Sequence, residues 1–140
     1  MATILLAGRA AEVLVFGEPS AGSGGGHESD LAVASMLALS MHTQLGLGWH
    51  GPVWSDASAG VALRDPHIRH KVRTSMEDAE GYASRILSAR KLLLEDMAQE
   101  LVQHRELAGP GLVSWLAPAA CKEVVAAVSA QGQAGRQRGL

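Results

Sequence analysis

The chain has 140 residues, enough for one domain with a real core. Apolar residues make up 47% and aromatics only 4%, so Ala, Leu and Val supply the interior, which favours packed helices over a sheet. The net charge of −2 argues against a nucleic-acid binder. Cys121 stands alone, which excludes a disulfide framework or a Cys-based zinc ribbon and points to a reducing compartment.

No apolar run reaches the roughly 18 residues that a membrane helix needs, and the start lacks the basic and long apolar regions of a signal peptide. Helical periodicity begins at Thr3, with only Met1-Ala2 ahead of it, so the chain reads as cut from a longer protein. In the first predicted helix, Thr3 to Val15, the stripe is Ile4, Ala7, Ala11 and Leu14, widened by Leu5, Gly8 and Val15. Arg9 and Glu12 lie together on another side. Gly8 inside a helix is expected to mark close helix packing. Gly17 stands where a C-terminal glycine cap belongs, and Pro19 prevents continuation.

Ser20 to Gly26 is a glycine-rich loop with no following Lys-Ser/Thr, so it is not a P-loop. Ser29-Asp30 opens a second helix with the stripe Leu31, Ala34, Ala38, Met41 and Leu45, ended by Gly46. Leu47 to Gly60 is irregular, and its Trp49 and Trp54 call for burial, either in this domain or against a neighbour. Asp65-Pro66 is a strong helix start, followed by Ile68, Val72, Met76, Ala79, Ala83 and Ile86 at spacings of three and four. Ser88-Ala89-Arg90 is a bend or a continuation. Leu94, Met97 and Leu101 carry the pattern to Arg105, and Gly109-Pro110-Gly111 is a firm stop before one apolar turn, Leu112 to Leu116. Cys121 to Ala130 forms a short helix in this reading, and Gln131 to Leu140 a disordered tail.

The chemistry-bearing residues are few. His27-Glu28-Ser29-Asp30 imitates the start of His-Glu-x-x-His, but that motif needs its second His at i+4 to share a helix face, and position 31 is Leu. His67 and His70 read as solvated helix residues among Arg69, Lys71 and Arg73. His42 and His104 show no ligand-type partner at helical spacing. Asp30 has two readings: an acid favoured at a helix N-terminus, where it opposes the dipole, or a metal ligand. Spacing alone favours the first.

The order Leu6-Ala7-Gly8-Arg9-Ala10-Ala11-Glu12, Phe16-Gly17-Glu18, Ser20-Ala21-Gly22 and Ser29-Asp30-Leu31 resembles the peptidase domain of FtsH-type membrane-anchored AAA zinc proteases. That family reads Leu-x-Gly-Arg-x-Ala-Glu-Glu-x-x-x-Gly, Ser/Thr-Thr-Gly-Ala and Asn/Ser-Asp-Leu in the same order. Leu45-Gly46 and Leu47-Gly48-Trp49-His50-Gly51-Pro52-Val53 are similar to its Gly-Met and Leu-Gly-Pro segment, and the later helices match in pattern. The resemblance covers residues 3 to 117. It implies that Asp30 is the distal Asp ligand of a zinc held by two His, leaving a position for water. It also implies that Glu12 stands near that site, where it orients a ligand His or serves as a surface partner for Arg9.

The chain departs from the family at Val13, which replaces the second glutamate, and at Gly24-Gly25-Gly26-His27-Glu28, a longer loop that lets His27 compete as a ligand. The zinc-binding His pair, the catalytic Glu between them and the ATPase P-loop are absent from these residues; in the family they lie N-terminal to this stretch.

The fold class expected is all-α, with four to five helices and an irregular Trp-bearing segment between the second and third. Residues 1–118 are a partial peptidase helical domain, and 119–140 a short helix and flexible tail. The function implied is that of the C-terminal part of an ATP-dependent zinc metalloendopeptidase acting on unfolded or membrane proteins in quality control. Zinc belongs to the complete peptidase domain and ATP with Mg²⁺ to a separate ATPase module, with no cofactor expected tightly bound here. No catalytic residue is expected in this chain, and none of its activity. Its partners are unfolded polypeptides and further copies in a ring, with no nucleic acid. Its place is the cytoplasm, anchored to the inner membrane only through a segment outside this sequence. The alternatives are a non-catalytic oligomerisation or binding module, a degenerate relative that lost the zinc, and an independent metal site from His27, Glu28 and Asp30.

Overall fold

A computed structural model of the chain describes residues 1–48 and 51–116. Its regular structure is entirely helical: α1 (Ala2–Leu5), α2 (Ala7–Phe16), α3 (Asp30–Thr43), α4 (Ala59–Ala62), α5 (Pro66–Ser88), α6 (Lys91–His104) and α7 (Gly109–Leu116), with a 3-10 turn at Ala21–Ser23. No strand occurs among the described residues. The all-α class is as expected. The extra helices arise because the first predicted helix divides at Leu6, because α4 begins at the end of the segment read as irregular, and because the single apolar turn expected at Leu112 to Leu116 is part of α7. Two compact units divide at the Ser88–Ala89 junction.

In the first unit α5 is the spine, against which α1, α2 and α3 pack. Its start follows from Asp65-Pro66. The His67 N–H donates to Asp65 Oδ1 at 2.7 Å, the Arg69 N–H donates to the Asp65 carbonyl at 3.0 Å, and Pro66 sits where a missing N–H leaves nothing unsatisfied. The predicted stripe holds throughout: Val72 and Ala83 are buried, and Ile68, Met76, Ala79 and Ile86 half-buried. The opposite side is polar, with an Arg73–Glu77 ion pair at 2.7 Å and the Arg85 guanidinium 5.4 Å from the centre of the Tyr82 ring.

The core is built largely from alanine. Ala38, Leu39, Ala62 and Val72 form one cluster, edged by Ala57, Ala59, Leu63, Ile68 and Met76. Leu6, Ala10 and Ala34 are also buried, and Leu6 is the largest side chain fully enclosed. Small side chains allow helix axes to approach closely. The interior then rests on many dispersion contacts rather than on large transferred areas.

Several expectations need correction. The buried residues of α1 and α2 are Leu6 and Ala10, not the stripe that begins at Ile4, which is 75% exposed. The run from Ile4 to Ala7 is apolar at every position, so periodicity alone fits two neighbouring faces. Docking on α5 selects the one through Leu6, where the chain passes from α1 to α2 at φ −88°, ψ 0°. Gly8 does not mark close packing: a Cβ there would meet nothing within 4 Å.

On α3 the buried set is Ala34, Ala38, Leu39 and Thr43, while Met41 and Leu45 are exposed. The helix stops at Thr43, before Gly46. Gly46 instead turns the chain at φ +62°, where an added Cβ would lie 3.1 Å from Pro52 Cα. Trp54 is 68% exposed, so of the two expected ways of covering it, burial within this chain is not the one seen; Trp49 lies outside the described residues.

The second unit begins with α6, which carries a Lys91–Glu95 ion pair at 3.7 Å. It ends at Arg105, a left-handed residue (φ 59°) whose N–H donates to the Leu101 carbonyl at 2.7 Å. The Gly109-Pro110-Gly111 stretch is therefore not what stops α6. It opens α7, with Pro110 in the first turn, where proline is compatible with a helix. The helix and tail expected over 119–140 lie outside the described residues.

Candidate functional site

The site candidates cluster around the connection between α2 and α3. Gly17 closes α2 in the left-handed region (φ 85°), its N–H donating to the Val13 carbonyl at 3.0 Å. The cap predicted from sequence is present. Two residues beyond Glu18, Ser20 returns to the helix just left. Its N–H donates to Glu12 Oε2 at 2.9 Å, and its hydroxyl donates to Glu12 Oε1 at 2.7 Å. The same Oγ accepts the Gly22 N–H at 3.1 Å, which caps the 3-10 turn. One side chain therefore joins the carboxylate to the first turn of the glycine-rich loop. These bonds to the charged form, the Ser20 hydroxyl first and its backbone N–H second, hold the Glu12 carboxyl below the ordinary 4.5.

Arg9 is committed elsewhere. Its Nε donates to Glu80 Oε1 on α5 at 3.1 Å, with both side chains less than a third exposed. The hydrogen bond of Arg9 thus reaches across helices. Its charge reaches Glu12 only as the least of the effects that lower that carboxyl.

The loop then runs through Gly24, whose N–H donates to the Ala21 carbonyl at 3.1 Å, and through Gly25 at φ +113°, a conformation that side-chain-bearing residues rarely adopt. His27 and Glu28 are exposed. The Ser29 N–H donates to the Gly26 carbonyl at 3.1 Å, and Ser29, not Asp30, caps α3, its Oγ accepting the Ala32 N–H at 3.3 Å. Asp30 is the first residue of α3 and its side chain is exposed. There a carboxylate faces the positive end of the helix dipole and is available to solvent.

The structure does not bring His27, Glu28 and Asp30 together as a metal site. Among the described residues no group of three or more His, Cys, Asp or Glu side chains is placed to hold a metal ion. Taken alone, these residues do not fit a zinc ion, because Asp30 offers one carboxylate and a closed or catalytic zinc site takes three or four protein ligands.

Among the other histidines, His67 and His70 are exposed on α5, as expected. His104 is a correction: Glu100, one turn earlier on α6, lies at 3.1 Å from its Nδ1, an i, i+4 pairing that the sequence contains and the sequence reading passed over. Sequence reasoning also missed His42. Its Nε2 lies 3.3 Å from Ser75 Oγ, joining α3 to α5. Gly48 closes over it so tightly that a Cβ there would stand 3.0 Å from both His42 Cα and Nδ1. His42 also lines a hollow of about 240 Å³ with Thr43, Ser55, Asp65 and Ile68. No local pattern could have signalled a contact between residues 33 positions apart.

No family model matches the chain. It is 37% identical over 109 residues to the ATP-dependent zinc metalloprotease FtsH 1 of Symbiobacterium thermophilum. The match takes in 77% of this chain and 18% of that protein, so the chain spans under a fifth of the length of this curated relative. The similarity supports a relationship to FtsH proteins. No described helix is long and apolar enough to cross a membrane.

Proposed function

We propose that the chain is the C-terminal part of the peptidase domain of an ATP-dependent zinc metalloendopeptidase. It contributes helical packing and one metal ligand, Asp30. The observation that supports this most is the coincidence of the 37% identity to a zinc metalloprotease with the position of Asp30, exposed on the first turn of α3 directly after the glycine-rich loop. In this reading the other donors and the general base come from outside the described residues, and Glu12 stands near the site. The substrates are unfolded polypeptides, and the full protein works as a ring of copies in the cytoplasm, held at a membrane by another segment.

The test is to read the coding sequence upstream of Met1 and express the whole frame. A frame carrying His-Glu-x-x-His is expected to yield a casein-cleaving enzyme that loses zinc and activity in Asp30→Ala, while the 140-residue chain alone cleaves nothing. A full protein that retains zinc stoichiometrically in Asp30→Ala defeats the ligand role. A frame with the helices and no His-Glu-x-x-His makes it a degenerate relative.

A second reading, a helical assembly module, is favoured by apolar residues left in solvent: Val33 and Met36 on α3, and separately Leu92 and Val102 on α6. Light scattering separates a monomer from an oligomer.

A further inference from the structure

Arg9 and Glu12, one helical turn apart on α2, hold two different parts of the molecule: Glu80 on α5 and Ser20 in the loop. Glu80 on α5 holds Arg9 on α2 at 3.1 Å. Arg9 and Glu12 stand three residues apart, on one side of a helix docked on α5. Both carboxylate oxygens of Glu12 hold Ser20, at 2.9 and 2.7 Å. Ser20 Oγ in turn holds the Gly22 N–H. Beyond this turn the chain passes near the start of α3, since a Cβ added at Gly24 would lie 3.6 Å from Leu31 Cδ2. Leu31 is the neighbour of Asp30.

We propose that Glu12 is a positioning residue: carried on a helix that Arg9 ties to α5, it pins Ser20 and thereby sets where the glycine-rich loop delivers the first turn of α3 and Asp30. The proposal rests on the reading of Asp30 as the functional group of this loop. The physical need is clear from the composition of the loop. Gly22, Gly24, Gly25 and Gly26 give the unrestrained segment more backbone freedom than any other residue type would. The Ser20 anchor fixes the near end of this segment, and the Gly24 N–H on the Ala21 carbonyl and the Ser29 N–H on the Gly26 carbonyl carry that restraint on toward Asp30. A glutamate suits the task because it presents two oxygens to two donors on one residue. Glutamine presents one oxygen and an NH₂ group, which cannot accept the second bond.

The test is amide hydrogen exchange by NMR on the 140-residue chain without metal. The Ala32 and Val33 amides both bond to Ser29, at 3.3 and 2.9 Å, and so report on the turn that carries Asp30. In Glu12→Gln, exchange at Ser20 and Gly22 is expected to quicken, and exchange at Ala32 and Val33 to quicken with it, by about fivefold. Ser20→Ala, which leaves the Glu12 side chain in place, is expected to do the same at Gly22, Ala32 and Val33. Amides of α5 around the buried Val72 keep their wild-type rates.

If Ser20 and Gly22 lose protection while Ala32 and Val33 keep it, Glu12 caps the loop and positions nothing, and the proposal is overturned. If Glu12→Gln also loosens α5, Ser20→Ala decides by the same criterion. The measurement contains no zinc, so the failure of Asp30 as a ligand leaves its outcome unchanged. Conversely, a failed positioning role leaves the zinc-retention test of Asp30→Ala standing.

Discussion

Helices α3 and α5 pack on each other, yet they meet their surroundings differently. α5 is two-sided: a buried stripe through Val72 and Ala83 and a polar back with the Arg73–Glu77 pair. Everything it presents to water is at home there. α3 buries Ala34, Ala38 and Leu39 and still shows Val33, Met36 and Met41 to solvent. An amphipathic helix has one apolar face because one neighbour covers it; a helix apolar on several faces expects several neighbours. The difference teaches that α5 keeps its large apolar side chains on a buried or half-buried stripe, whereas α3 leaves Val33, Met36 and Met41 in solvent, which is the feature the proposed assembly reading uses.

The comparison can be broken at its buried side first. Leu39→Ala removes a side chain only 4% exposed from the contact between the two helices and is expected to cost about 2–5 kcal/mol in urea unfolding. Val72→Ala, on the facing stripe, loses less volume and is expected to cost roughly 1–3 kcal/mol. Next in size is the start of α5. Asp65→Ala strips the acceptor of the His67 N–H and is expected to lower stability by about 1 kcal/mol, with loss of helical circular dichroism from the first turn.

On the outward side, Met36→Lys is expected to leave stability within about 0.5 kcal/mol. In light scattering it is expected to shift the chain toward monomer. Equal masses for the variant and the parent chain would remove α3 from the assembly reading.

The smallest effect lies on the loop that leads into α3. The Glu12 carboxyl is expected to titrate below 4.5, as followed by its side-chain carbon shift. Its folded-state value is depressed, so the stability it lends is present above the ordinary glutamate value and is lost as pH falls through the folded value. Protection of the Ser20 amide should disappear over that same interval, and Glu12→Gln should show no such titration.

The contrast between α3 and α5 also explains which parts were legible beforehand. The α5 stripe alternates cleanly with charged residues, so periodicity admits one face, and the structure uses it. α1 and α2 offered unbroken apolar runs, and the face through Leu6 and Ala10 was chosen only by docking. Glu12 and Arg9 stood out as motif residues. Their partners, Ser20 and Glu80, lie eight and 71 positions away, and helical spacing says nothing about either. The exposed first-turn position of Asp30 was readable from Ser29-Asp30, though the cap itself fell to Ser29. Gly8 illustrates the opposite error, since a residue that permits close approach does not by itself create a neighbour.

By itself the sequence determined the helical class, the left-handed cap at Gly17, the Asp65-Pro66 helix start and the stripe of α5. Each of these depends on groups within about one turn of one another, where backbone geometry leaves few alternatives. The tertiary structure decided which face of α2 and α3 went inward, that Arg9 reached Glu80, that Glu12 took hold of Ser20, and that His42 met Ser75. Apart from the Glu12–Ser20 bond, which depends on how the loop folds back on α2, those outcomes depend on packing among helices distant in sequence, where several local arrangements have similar energy and only the shared core selects among them.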